Sequence, residues 1–178
     1  ARLPPAVAPA TFHPGVGGAG VRTRLGIGDE PVVGCVSRMG ERKGQDQLIR
    51  ALPELRRRVE GARLLIVGGG PYEAQLRTLA AECGVAEHVL IAGEVSDADL
   101  PAHFAAGDVF AMPCRERRGG REVEAFGIVF IQAQALGRPV VAGDIGGVPD
   151  ALQDGRTGLL VDGEDLAAVT DAVASLLG

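Results

Sequence analysis

Six short runs rich in branched apolar residues recur along the chain: PVVGCVS (31–37), ARLLIVG (62–68), HVLIAG (88–93), DVFAMP (108–113), PVVAGD (139–144) and TGLLVD (157–162). Apolar runs of this length without polar alternation suit strands buried on both faces. Segments of helical length separate most of them, and strands joined by such crossovers pair in parallel. The pattern predicts an α/β domain, doubly wound and Rossmann-like, with a parallel six-stranded sheet and helices on both faces. At 178 residues, 46% hydrophobic and 23% charged, the chain can bury one core of this kind. Residues 1–30, rich in Pro and Gly and lacking a sustained period, read as a linker, and the domain is expected over residues 31–178.

The segments between the runs carry helix punctuation. A helix is expected from about Gln45 to Val59, with a break or kink forced by Pro53. Pro71 opens the next, which Gly84 stops at Cys83. Ser96 and Asp99 resemble a cap for a helix ending near Ala106. Three more are expected: Phe126 to Leu136 before Gly137, a short one from Val148 to Leu152, and a last one from about Glu164.

Charge narrows the partners. Twenty-three acids against 18 bases give a formal charge of −5, which argues against a general nucleic-acid surface or a polybasic membrane anchor. The apolar runs are too short to span a membrane, and Pro and Gly interrupt the start where a signal peptide needs an apolar core, so a cytoplasmic location is expected. Cys35, Cys83 and Cys114, with His13, His88 and His103, have no metal-ligand spacing, and neither a disulfide nor a metal is expected. Lys43 is the one lysine, every other base being arginine. It marks either a specific requirement or the remainder of a biased composition.

In doubly wound sheets ligands gather at the carboxyl ends of the strands, so residues following the runs are the candidates. After the first run, Arg38 and Lys43 can converge on a polyanion such as a diphosphate, or can lie in a solvated loop with Glu41 as partner. The glycines of IVGGGPYE (66–73) lack the GxGxxG spacing of a dinucleotide fingerprint and read as a tight turn, near a ligand or not. A helix starting near Phe126 offers its first free N–H groups to an anion. Glu124, just outside it, repels phosphate but accepts hydrogen bonds from hydroxyls, so a ligand carrying sugar and phosphate accounts for the combination. The plainer reading makes Glu124 a cap.

Gln132 shares a helical face with Ile128, Ala135 and Leu136, and an unpartnered amide buried there costs on the order of 1–3 kcal/mol. CRERRGGRE (114–122) sets Arg115, Arg117, Arg118 and Arg121 against Glu116 and Glu122, as a loop closing over an anionic substrate or a solvated loop of mixed charge. GDIGGVPD (143–150) reads equally as a backbone approach to a ligand or as a turn.

Taken in order, VSRMGERKGQDQLIRALPEL, LLIVGGGPY, VLIAGEVSDADLPAHFAAGDVFAMP, EAFGIVFIQAQALGRPVVAGDIGGVPDAL and GRTGLLVDGEDLAAV resemble the donor-binding half of a retaining glycosyltransferase of the GT-B fold, family four (group 1). The resemblance covers nearly all of the chain from Pro31, LPPAV…FHPG is similar to that family's interdomain linker, and REVEAFGIVF is most similar to phosphatidylinositol mannosyltransferases. It implies a hexosyltransferase that moves a hexose, mannose favoured, from a nucleotide diphosphate sugar, GDP-mannose favoured, to a hydroxyl acceptor, without cofactor or metal. Arg38 and Lys43 would hold the diphosphate and stabilise the leaving nucleotide, and Glu124 would grip the sugar; these three form the implied catalytic set. The backbone of Phe126, Gly127 and Ile128, with Val129 beside them, would contact sugar and phosphate, while Glu94 and Val95 would frame the base through their main chain.

An N-terminal acceptor domain is the implied partner, so this domain alone is expected to bind donor and transfer little. Peripheral association with the inner face of the membrane would run through that other half. Two departures stand out. Gln132 occupies the place of a second glutamate that binds ribose hydroxyls, and an amide there loses charge-assisted strength. Ala125 replaces a frequent glycine. The alternative is a noncatalytic nucleotide-sugar-binding or interaction module with a degenerate site. An epimerase on the same fold would need acids and a histidine placed for proton abstraction, which this half does not offer.

Overall fold

In the computed structural model, which describes residues 6–117, 119 and 123–178, the six runs form one sheet. Its strands are β1 (Val32–Val36), β2 (Arg63–Val67), β3 (Val89–Gly93), β4 (Val109–Met112), β5 (Val140–Gly143) and β6 (Leu159–Val161). They lie in the order β3-β2-β1-β4-β5-β6 and every pairing is parallel. The chain winds outward from β1 to β3, then crosses back to β4. This reversal between β1 and β4 opens a crevice at the carboxyl ends of the strands.

Burial follows the pattern of the runs. The central strands β1, β4 and β5 are buried at every position, whereas the edge strands β3 and β6 are half-buried throughout. Helices α2 (Gln45–Arg58), α3 (Glu73–Glu82) and α6 (Leu166–Leu177) cover one face. Helices α1 (Ala19–Arg24), α4 (Leu100–Ala105) and α5 (Ile128–Ala135) cover the other. A row of rings, Phe12, Phe104, Phe110 and Phe130, runs through that second layer with centroids 6.1, 5.3 and 5.9 Å apart. Each such pair contributes roughly 0.5–1.5 kcal/mol beyond burial.

Several boundaries differ from the sequence reading. Residues 1–30 are not featureless: they hold α1, and Phe12, Val21 and Ile27 are buried in the core. Arg22 ties this segment down by donating to the carbonyls of Gly28 and Ala106 and pairing with Asp108. A six-residue helix is too short to show a period. Helix α2 runs unbroken through Pro53, which is exposed, because Leu48, Ile49, Leu52 and Leu55 are buried on its other side. Burial at roughly 1.5–3 kcal/mol per side chain outweighs the roughly 3 kcal/mol that an interior proline costs.

Pro71 stands before the N-cap of α3 rather than inside it, since the preceding glycine turn extends to Gly70, at φ 154°. Helix α5 starts at Ile128, two residues late, with Gly127 as a left-handed N-cap at φ 77°. The expected helix after β5 is only a 3-10 turn, Val148–Asp150.

Candidate functional site

The β1–α2 connection makes a 3-10 turn, Glu41–Lys43, and is held by a residue the sequence reading passed over. Gln45, fully buried, donates to Ser37 Oγ at 2.9 Å and to the Arg38 carbonyl at 3.1 Å, linking the start of the loop to its end. The loop after β2 lies against it, with the Met39 N–H donating to the Gly69 carbonyl at 2.8 Å. A Cβ at Gly68 or Gly70 would strike the carbonyl oxygen of Ser37 or Met39. These glycines therefore permit contact between two loops, and they also line a cleft.

That cleft, about 540 Å³, opens at the carboxyl ends of β1, β2 and β3. Arg38 lines it from the first loop, Glu94 and Val95 from the third, and Val129 and Gln132 from α5, with Leu100 of α4 as an apolar wall. Among the described residues the Arg38 guanidinium has no hydrogen-bond or ion-pair partner. The Gln132 amide is half-buried and likewise has none. Both groups face the same cleft with their polar atoms uncommitted.

Lys43 and Glu124 make a second cluster beside it. Lys43 Nζ lies 2.5 Å from Glu124 Oε2, and Arg42 donates to the same oxygen at 2.9 Å. The two side chains of the closer pair are only 13% and 11% exposed, so their attraction is little screened by water. Arg42 was missed because the sequence gives it no separate signal among so many arginines. Glu41, the partner suggested for Lys43, instead faces Arg117 at 3.8 Å. Nor is Glu124 merely a cap: among the described residues its carboxylate accepts from Arg42 and Lys43 and from no helix amide.

The loop carrying Glu124 is fixed by glycines from elsewhere. Gly147 donates its N–H to the Glu124 carbonyl at 3.0 Å, and a Cβ on Gly146 or Gly147 would strike the carbonyl oxygen of Glu124 or Ala125. The GDIGGVPD glycines thus serve backbone contact with the acid's own loop. Below, burial pushes the Cys35 thiol up to about 12 and the Cys114 thiol up to about 11, the second also raised by the charge on Glu124. Both stay neutral beneath the ionic cluster.

The resemblance implies that Arg38, Lys43 and the start of α5 contact one donor. The structure divides them into two adjoining parts, joined by the β1–α2 loop on one side and by the stretch from Glu124 to Val129 on the other. Phe126 is half-buried and Gly127 buried beside this junction, and with Ile128 they do not line the cleft. Because the helix starts at Ile128, its first free amides lie at Ile128 and Val129. Within 114–122, Arg115 is buried and paired with Asp46 rather than solvated, and Arg117 pairs with Glu164 at 2.7 Å. Arg118, Arg121 and Glu122 lie outside the described residues.

The family model for "Glycosyl transferases group 1" matches residues 21–178. This chain belongs to the group 1 glycosyl transferases. It is 54% identical over 176 residues to the GDP-mannose-dependent alpha-(1-6)-phosphatidylinositol monomannoside mannosyltransferase of Mycobacterium tuberculosis, covering 98% of this chain and 46% of that protein. It is 39% identical over 184 residues to the D-inositol 3-phosphate glycosyltransferase of Nocardia farcinica. The chain thus spans about half the length of these relatives. Among solved structures, sucrose-phosphate synthase from Thermosynechococcus elongatus superposes with a TM-score of 0.81 at 30% identity, over 98% of this chain and 42% of that one. The Anabaena HepE protein in complex with UDP and glucose gives 0.78 at 25% identity, over 95% and 43%. The fold is one Rossmann-like half of the GT-B architecture.

Proposed function

We propose that this domain binds a nucleotide diphosphate sugar, GDP-mannose by preference, and that the protein containing it transfers the mannose to a hydroxyl acceptor with retention of configuration. The observation that carries this reading is the contact of Lys43 with Glu124 at the carboxyl ends of the strands, beside a cleft holding Arg38, whose guanidinium has no partner among the described residues. A cation and an acid so placed suit a ligand with phosphate at one point and hydroxyls at the next. The diphosphate takes Lys43 from Glu124, and the freed carboxylate accepts hydrogen bonds from the hexose. Lys43, next to the sugar-binding acid, then faces the β-phosphate, while Arg38 serves the cleft side. The base lies along Glu94 and Val95. The names of several relatives, GDP-mannose-dependent mannosyltransferases, support the choice of donor.

In the reaction, the bond between the anomeric carbon and the β-phosphate oxygen breaks while the acceptor oxygen bonds to that carbon from the same face. The acceptor proton passes to an oxygen of the departing phosphate. Arg38 and Lys43 stabilise the charge growing there, and Glu124 fixes the sugar. These cations supply the positive charge the step needs, so the reading includes neither metal nor cofactor. Acceptor binding falls to a further domain, and the domain alone transfers little. Several relatives act on phosphatidylinositol mannosides by name, which supports a cytoplasmic protein held at the inner membrane face through that other domain.

Calorimetry of the chain with GDP, GDP-mannose, UDP and UDP-glucose tests the reading. The guanine nucleotides are expected to bind more tightly than the uracil ones, and a folded chain that binds no nucleotide overturns the proposal. Gln132 favours a second reading, a module that binds nucleotide sugar without transferring it. In the full-length protein, a rise in transfer on Gln132→Glu supports the enzyme, and transfer absent before and after it supports the module.

A further inference from the structure

Behind the Lys43–Glu124 contact lies an ion pair that stability does not explain. Arg115 donates to Asp46 Oδ2 at 2.6 Å, with side chains only 5% and 10% exposed. Among the described residues, each partner keeps one buried atom without a hydrogen bond, Asp46 Oδ1 and Arg115 Nε. Buried pairs left partly unsatisfied are often no more stabilising than apolar residues of the same shape. The placement of this one is more informative. Asp46 sits in the first turn of α2, three residues after Lys43, and the Arg115 N–H donates to the Arg42 carbonyl at 2.9 Å. Between these ties, Gly44 packs so closely on the Pro113 carbonyl that a Cβ would collide with it. The segment leaving β4 is therefore fastened to both sides of Lys43 before it continues to Glu124, which returns to Lys43 and Arg42.

We propose that Asp46 and Arg115 are positioning residues, which set Lys43 against Glu124 so that the lysine meets the β-phosphate of the donor. This rests on the donor-binding reading above. Without the pair, the 3-10 turn and the Glu124 loop drift relative to each other, and the β-phosphate loses its cation. Contacts to the base and the α-phosphate, made from the cleft, remain. The pair thus governs how well the domain distinguishes a nucleoside diphosphate from a monophosphate.

The test is calorimetry with GDP and GMP, alongside thermal unfolding, on the wild-type chain and the Asp46→Leu/Arg115→Met double variant. The apolar replacement is expected to fold with a melting temperature at or above that of the wild type. It should bind GDP about tenfold more weakly and GMP within about twofold of wild type, as loss of one charge-assisted contact implies. Unchanged GDP affinity overturns the assignment. Equal weakening of GDP and GMP also overturns it, since it shows that the pair serves only the fold. Should the double variant fail to fold, Arg115→Lys, which keeps the charge but not the fork, decides by the same ratio. Wild-type chain that binds no GDP overturns the donor reading itself, a result distinct from wild-type binding that the variant leaves intact.

Discussion

The two ends of the sheet both carry a hollow edged by cations, yet only one is suited to an anion. At the carboxyl end, Arg38 lines a cleft of about 540 Å³ with Lys43 next to it. At the amino end, Arg138 and Arg156 line a hollow of about 420 Å³ with Pro139, Leu159 and Leu176. Helix α5 ends at Ala135, just before Arg138, and α6 ends at Leu177, so both present their last carbonyls to that hollow. Those carbonyls carry partial negative charge, which opposes an anion in that hollow. At the carboxyl end the helices begin, and their free N–H groups add to the cations. Helix polarity, more than the number of bases, distinguishes the two hollows.

The sharpest way to break this comparison is to remove cations at each end. Arg38→Ala and Lys43→Ala are each expected to weaken GDP binding by about 10- to 100-fold, as for a hydrogen bond to a charged group. Arg138→Ala and Arg156→Ala are expected to leave it within about twofold. Titration calorimetry reads all four. Comparable losses at both ends would show that the distinction between them is false.

Glycines give the next largest contrast. Gly146, at φ 58° after β5, has no room for a Cβ because the Glu124 carbonyl occupies the space. At Gly155, φ 69° beside the amino-end hollow, a Cβ would meet no other atom within 4 Å among the described residues. Gly155→Ala should therefore cost only the left-handed conformation, about 1–2 kcal/mol. Gly146→Ala adds displacement of the Glu124 loop, for a total of about 3 kcal/mol or more, and should weaken GDP binding as well. Equal losses in urea unfolding would mean that the Glu124 loop gives way freely.

The same contrast explains what the sequence could and could not convey. The strands were legible because each lies between two helical layers and must be apolar at nearly every position, as with Val32 to Val36. Lys43 and Glu124 could be named from their places after strands, and Lys43 from being the one lysine. Their contact could not, because 81 residues separate them and only the crossing from β3 to β4 brings them together. Arg115 was misread for the same reason: its partner, Asp46, is 69 residues away. Local charge around Arg115 described a solvated loop, and the long-range pair decided otherwise. The late start of α5 was hidden because Gly127 fits a helix's first turn and a left-handed cap equally well in sequence terms.

The smallest effect concerns the cysteines, which report how tightly each end is packed. Cys35 in β1 and Cys114 just after β4 are buried beneath the ionic cluster, whereas Cys83, at the end of α3, is partly exposed. Burial raises the first two thiols to about 12 and about 11, so in the folded chain both remain protonated well above the ordinary thiol range. The thiolate is the reactive form, so at about pH 8 a thiol reagent should modify one cysteine per native chain, Cys83, and all three in denaturant. A group with a raised folded pKa favours the folded state fully below its unfolded value, so this contribution fades as pH climbs from about 9 toward 12. Unfolding midpoints should fall over that range, with Cys35 and Cys114 becoming reactive together as they do. Rapid labelling of Cys114 in the native chain at about pH 8 would instead show that the floor under Glu124 opens to water, and that the carboxyl end is no better packed than the amino end.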